Sequence, residues 1–268
     1  MLCKYKIDNR VYSLYSLQSL KGRFSKTDLV VIDLDECLFP GFSQTILGVL
    51  IFVNICFFPY KINDWKYIPQ LVKGGFFITF TKIKSWFNYN TGNRDLLDKY
   101  EMVMKGIPRV YFDSMVKYIP RLSYPFSAGA IRELAKKAPV GLVSFGLNII
   151  LEEYVKEFKK GGTPLISFYD SNIIYFKDSG FAGYQRSQLK TNKFDKKAVL
   201  ERILSEFNAR HPMVIGHNED DLEMVKYAQE NGGIGIGYNP KKAFVKYYDI
   251  VIKGWTWEPV YRLIKLLN

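Results

Sequence analysis

Asp33 and Asp35 stand one residue apart at the end of an unbroken apolar run, Leu29-Val-Val-Ile32. A short β-rich apolar run closed by turn residues, here Pro40-Gly41, reads as a buried parallel strand. Such strands deliver their carboxyl ends to the crevice where α/β sheets bind ligands. Period-2 alternation aims Asp33 and Asp35 the same way, past Leu34. Two carboxylates this close repel each other unless a cation or a shared proton lies between them. The pair is therefore suited to seating a cation or handling a proton, although a bare Asp-x-Asp is more often a polar loop. Three further signals follow in order. Ser144 ends a second apolar run, Val140–Val143, and Gly146 follows it. A lysine-rich stretch, Lys193 to Leu204, opens a helix. A third apolar run, Met213-Val-Ile-Gly216, leads into the acidic loop His217-Asn-Glu-Asp-Asp221.

Asp33-Leu-Asp35 after a hydrophobic strand resembles motif one of the haloacid dehalogenase-like (HAD) phosphohydrolases, Asp-x-Asp-x-Thr/Val. The resemblance implies that Asp33 is the nucleophile that accepts the phosphoryl group and Asp35 the acid/base, with Cys37 where Thr is usual. Carboxylate attack suits phosphoryl transfer, which needs in-line positioning and charge neutralisation more than a strong nucleophile. Ser144 with Gly146 is similar to motif two, which holds a phosphate oxygen; taken alone, a serine there is more often a helix cap. Lys196 fits motif three, with Lys193 and Lys197 as rivals and a solvated lysine face as the plainer reading. Motif four of the family reads Gly-Asp-x-x-x-Asp, whereas this chain reads Gly216-His217-x-x-x-Asp221. The implied cofactor is Mg²⁺, with Mn²⁺ as the alternative, on Asp33, Asp35 and Asp221. Imidazole is a poor ligand for a hard ion, so His217 leaves three outcomes open. Neighbouring acids hold the metal, the preference moves to Mn²⁺ or another borderline ion, or metal binding is lost. The turn Asp178-Ser-Gly-Phe-Ala-Gly183 is similar to a hairpin of phosphoserine-phosphatase-like members.

The elements that must position these residues form, by this reading, a Rossmann-like parallel α/β core over 1–42 and 123–268, with an inserted α-helical cap over 43–122. The expected core elements are an amphipathic helix over Val11–Leu20, a helix capped by Ser127, a helix Ile149–Lys160 and a strand Thr163–Phe176. Asp195 is the expected N-cap of the lysine helix. Gly232–Gly237 and Asp249–Ile252 read as strands, and Glu258–Leu267 as a final helix. Within the insertion the expectation is helix over 45–58, 94–100 and 108–118, a break at Gly74-Gly75, and further apolar structure over Phe76–Phe87.

Composition sets the outer limits. Of 268 residues 48% are apolar and 24% charged, enough for a sizeable core. Three scattered cysteines, Cys3, Cys37 and Cys56, form no disulfide framework and suit a reducing, cytoplasmic setting. The net charge of +12 favours anionic partners. No nucleic-acid module is recognisable, so no nucleic-acid partner is expected. Residues 45–58 carry no charge but fall short of the ~18 residues that suggest a membrane span. They read as a buried or interfacial helix, with burial favoured over contact with lipid or an apolar substrate. Phosphoserine phosphatases read serine's amino and carboxylate groups with an acidic residue and an Arg, and alignment puts Phe42 and Tyr100 at those positions. The resemblance therefore implies hydrolysis of a phosphorylated small molecule with an apolar portion, a lipid phosphate met at a membrane periphery being one form. The competing reading is a degenerate HAD-fold protein that binds a phosphorylated ligand or partner without turnover.

Overall fold

The structure is a computed structural model that describes residues 4–75 and 93–268. Its strands are β1 (Tyr5–Asp8), β2 (Val11–Ser13), β3 (Leu29–Ile32), β4 (Val140–Leu147), the short pair β5 (Lys159–Lys160) and β6 (Thr163–Pro164), and β7 (Phe168–Asn172). After these come β8 (Ile174–Lys177), β9 (Gly180–Tyr184), β10 (Pro212–Gly216), β11 (Ile234–Tyr238) and β12 (Ile250–Ile252). Eight of them make one sheet in the order β1-β2-β12-β11-β10-β3-β4-β7. The six from β12 to β7 pair in parallel, and β2 joins β12 antiparallel at one edge.

Alternation along β3 divides the core. Val30 and Ile32 face one apolar cluster, packed by helices Leu17–Phe24, Ser127–Ala135, Asn148–Glu157 and Glu258–Leu267. Leu29 and Val31 face the other, packed by helices Lys193–Glu206 and Leu222–Glu230. This is the three-layer, doubly wound arrangement that continuous apolar strands require, because both sheet faces must be covered.

Between β3 and β4 the described residues are helical. Helix Ser43–Phe57 is followed by a 3₁₀ turn Ile62–Tyr67, a helical run over 68–75, and helices Asn93–Met104 and Arg109–Met115. Ser43–Phe57 buries Ser43, Leu47, Ile51 and Ile55, a single stripe at four-residue spacing. Val49, Val53 and Phe57 lie exposed, Phe57 at 73%, so the helix is half-covered, not wholly buried. Among the described residues no helix is long and apolar enough to cross a membrane.

The β8–β9 hairpin turns through Asp178 and Ser179, both at positive φ (49° and 64°), the combination of a type I′ turn. It grips the helical segment: Arg109 N–H donates to Ser179 O at 2.8 Å and Phe181 N–H to Ile107 O at 2.9 Å. Phe181 also stacks on Phe112 at 5.5 Å.

Several local expectations give way to tertiary structure. Val11–Leu20 divides into strand β2 and the Leu17–Phe24 helix, because Val11–Ser13 finds a partner in β12. Ser127 begins its helix, and Phe126 takes the cap position at φ 71° without a side-chain hydrogen bond. Asn192, not Asp195, caps the lysine helix; Asp195 closes a reciprocal capping box three residues on. The expected strand Thr163–Phe176 separates into β6, β7 and β8, and Ile149–Lys160 ends as helix at Glu157. Gly74 and Gly75 continue a helical run instead of breaking it. The pattern over Phe76–Phe87 lies outside the described residues.

The loop after β3 is anchored from the far end of the chain, where Trp257 Nε1 donates to Cys37 O at 2.7 Å with the indole fully buried. Trp257→Phe leaves that carbonyl unpaired, and urea denaturation should register a loss of about 1–3 kcal/mol.

Candidate active site

Asp33 follows β3 directly, and its N–H extends the ladder by donating to Ile215 O at 2.9 Å. Register pairs Ile32 with Ile215, so Asp33 and the Gly216-His217 end of β10 lie side by side. Leu34 O then accepts the N–H groups of Cys37, Leu38 and Phe39, which winds the loop tightly.

Four side chains meet at this edge. Lys196 Nζ lies 2.7 Å from Asp33 Oδ1 and 2.6 Å from Asp221 Oδ1, all three residues being buried. His217 Nδ1 lies 3.0 Å from Asp33 Oδ2 and 3.4 Å from Asp221 Oδ2. Asp221 Oδ2 also accepts the backbone N–H groups of His217 (2.8 Å) and Asn218 (3.3 Å). On the outer side of the ring, Nε2 lies 3.2 Å from Glu36 Oε2 and 2.9 Å from Asn218 Nδ2. Gly216 makes this packing possible: a Cβ there would stand 2.6 Å from Asp221 Cβ and 2.8 Å from its Cγ.

The electrostatics follow from burial and contact. Burial opposes the charge on Lys196, but Asp221 and Asp33 outweigh it and raise its pKa above the usual lysine value. Burial likewise favours a neutral Asp221, yet Lys196, followed by His217, holds the carboxyl well below the ordinary range. For His217 burial disfavours protonation, while hydrogen bonds to Asp221, Asp33 and Glu36 lift its pKa well above the usual value. Lys196 and Asp221 stay charged because they face each other.

Asp35 has a different environment. Its Oδ1 accepts Ser43 N–H at 2.7 Å, at the first residue of the insertion's opening helix. Ser144 is not at the end of its strand: β4 runs to Leu147, and the β4–β7 register shifts between Val143 and Leu147. The intervening residues bulge, which re-aims side chains locally. Ser144 Oγ accepts Gly146 N–H at 2.9 Å, and Phe145 O receives the amides of Asn172 and Gln44.

A pocket with a cavity volume of about 100 Å³ opens here, lined by Asp33, Asp35, Phe42, Tyr100, Ser144, Lys196 and His217 together with Gln44, Thr45, Phe145, Asn218 and Asp220. Seven of the lining residues thus include every sequence-derived candidate except Gly146 and Asp221. Gly146 lies behind Ser144, and Asp221 lies beneath Lys196 and His217. Lys193 pairs with Glu219 and Lys197 with Glu201, so Lys196 is the lysine at this cluster. Among the described residues the group with metal-ligand spacing is Asp33, His217 and Asp221, their donor atoms all within 4.8 Å of one another. The Asp35 side chain is not in it, and His217 takes its place. Glu36 and Gln44 carried no motif in sequence, although a Glu directly after the Asp pair was a signal that could have been followed.

Tyr100 joins this pocket to a larger one of about 400 Å³, lined by Thr45, Gly48, Val49, Phe52, Leu71, Val72, Tyr100, Val103 and Met104. Its walls come from three helices of the insertion and are almost wholly apolar. The Tyr100 hydroxyl is buried and finds no hydrogen-bond partner among the described residues.

Gly216→Ala should displace Asp221 and break the charge cluster. The expected loss is about 2–4 kcal/mol of stability by urea denaturation.

No protein-family model matches the chain, and no curated protein matches its sequence. Solved structures do match. A phospho-aspartyl intermediate analogue of phosphoserine phosphatase superposes with a TM-score of 0.65 at 16% identity, over 88% of this chain and 98% of that one. Cytosolic 5′-nucleotidase IIIB bound to cytidine gives 0.66 at 15% identity, over 97% and 94%. Phosphoserine phosphatase from T. onnurineus gives 0.52 at 18%, over 90% and 96%. Likeness at such low identity is a likeness of fold, and the chain has the phosphoserine-phosphatase-like form of the HAD fold.

Proposed function

We propose that this chain is a metal-dependent phosphomonoester hydrolase working through an aspartyl-phosphate. The carrying observation is the Asp33 carboxylate, held between Lys196 and His217 at the floor of a pocket that Asp35 and Ser144 also line. The fold shared with phosphoserine phosphatase and a 5′-nucleotidase supports phosphohydrolase chemistry in general.

In this reading an Asp33 oxygen attacks phosphorus, forming the P–O bond as the substrate's ester P–O bond breaks. Asp35, in its acid form, gives a proton to the departing oxygen; as carboxylate it then takes one from the water that hydrolyses the acyl phosphate. Lys196 and Ser144 bind the equatorial oxygens and neutralise their charge. A dianionic phosphate must approach a pocket lined by Asp33, Asp35 and Asp220, with the Asp221 carboxylate next to Lys196 and that of Glu36 next to His217. That excess of carboxylate, with donors at ligand spacing, fits a divalent cation on Asp33, Asp221 and His217. When bound, the cation supplies charge neutralisation to the phosphoryl oxygens.

Residues 43–122 act as the cap over a core of 1–42 and 123–268. Phe42 and Tyr100 stand in the pocket with no formal charge, which argues against an amino-acid phosphate. The adjoining apolar chamber supports a substrate with an apolar portion, extending to a lipid phosphate. Exposed Phe57, Phe58, Ile62 and Trp65, interleaved with Lys61 and Lys66, support delivery from an anionic membrane surface. Absence of binding to anionic vesicles at both low and high salt would remove that last element. His217 in the position of a metal-binding Asp favours a second reading, a phospho-ligand binder without turnover.

A phosphatase screen over amino-acid, sugar and lipid phosphates with Mg²⁺ and Mn²⁺ separates the two. Turnover should fall by roughly three orders of magnitude or more in Asp33→Asn, whereas no turnover by wild type with either ion favours the binder. Across an n-alkyl phosphate series kcat/KM should rise with chain length, by at most about fourfold per buried methylene. Phe52→Ala should flatten that rise while leaving methyl phosphate hydrolysis unchanged.

A further inference from the structure

We propose that His217 is a nitrogen ligand to the divalent cation of this site, so that the chain selects a borderline transition ion, Mn²⁺ or Co²⁺, over Mg²⁺. The inference rests on the reading that the site takes a cation, and concerns which one. Nδ1 of His217 lies 3.0 Å from Asp33 Oδ2 and 3.4 Å from Asp221 Oδ2, and the three residues offer one donor atom each within 4.8 Å of one another. Adjacent ligands around an ion with bonds of about 2.1 Å stand about 3.0 Å apart in an octahedron and about 3.4 Å in a tetrahedron. The other end of the ring is equipped as well. Glu36 adopts φ 58°, a left-handed conformation few non-glycine residues take, and its carboxylate lies 3.2 Å from Nε2. Metal-bound histidines characteristically give their second N–H to a carboxylate, which fixes the ring and the tautomer.

Both tautomers are provided for. With the proton on Nδ1, that nitrogen donates to Asp33 and Nε2 accepts from Asn218 Nδ2 at 2.9 Å. With the proton on Nε2, Glu36 accepts it and the Nδ1 lone pair is left for an ion. One imidazole with two carboxylates suits Mn²⁺, Co²⁺ or Zn²⁺, whereas Mg²⁺ prefers oxygen throughout. Replacing an aspartate by His217 therefore changes the class of ion taken, without removing the site.

The test uses chelator-stripped full-length protein reloaded with Mn²⁺. Pulsed EPR should detect a ¹⁴N coupling that becomes a ¹⁵N coupling on ¹⁵N-histidine labelling. The chain has only two histidines, and His211 bonds Asn231 O at the opposite end of β10. The coupling should vanish in His217→Asp, and the Mn²⁺-over-Mg²⁺ affinity ratio from calorimetry should fall at least about tenfold. Glu36→Gln should weaken Mn²⁺ by about tenfold or more and Mg²⁺ far less. If His217→Asp does not fold, the labelled wild type decides alone. Mn²⁺ bound without histidine coupling overturns the inference and leaves metal-dependent hydrolysis standing. Failure to bind any of these ions overturns both. Histidine-bound Mn²⁺ without phosphatase turnover upholds the ligand assignment and sinks only the hydrolase reading.

Discussion

One ammonium shared by two buried carboxylates organises this protein's working edge. Lys196 is 3% exposed, and so is Asp33, while Asp221 is fully buried. An unpaired charge in such a place is prohibitively expensive, and a paired one is tolerable only with good geometry and further hydrogen bonds. The chain supplies both, since Asp221 also takes two backbone N–H groups and Asp33 meets His217. The residues come from three separate parts of the sequence. They meet because parallel strands present all their carboxyl ends on one edge, and because β3 and β10 are direct neighbours in register.

The helical insertion is joined to this edge at both of its ends. It enters through Ser43, whose backbone N–H binds Asp35, so the chemistry-bearing loop and the first helix of the insertion are coupled directly. Its far side is clamped by the β8–β9 hairpin, with backbone hydrogen bonds at Gly106, Ile107 and Arg109, and by the turn after it, whose Arg186 pairs with Asp98 and Glu101. That clamp positions the Asn93–Met104 helix and with it Tyr100. A buried phenol without a partner is costly unless something else completes its hydrogen bond. Tyr100 carries a buried hydroxyl, without a partner among the described residues, at the wall shared by a charged pocket and an apolar one.

What could be read from the chain alone was whatever depends on local pattern. Leu29–Ile32 read as a strand buried on both faces, and it is one. The order of carboxylates, hydroxyl, lysine and acidic loop carried the fold class through its resemblance to the HAD motifs, although Ser144 proved to lie within its strand and not after it. The two antiparallel edge strands, the bulge at Ser144, the caps at Phe126 and Asn192, and the meeting of His217 with Glu36 were settled only in three dimensions. Most of them depend on a partner far away in sequence: β12 for Val11–Ser13, β7 for the bulge, Asp33 and Glu36 for the imidazole. Sequence periodicity reports which face of an element is apolar, whereas pairing and charge contacts report which elements are neighbours, and that is a property of the packed sheet alone.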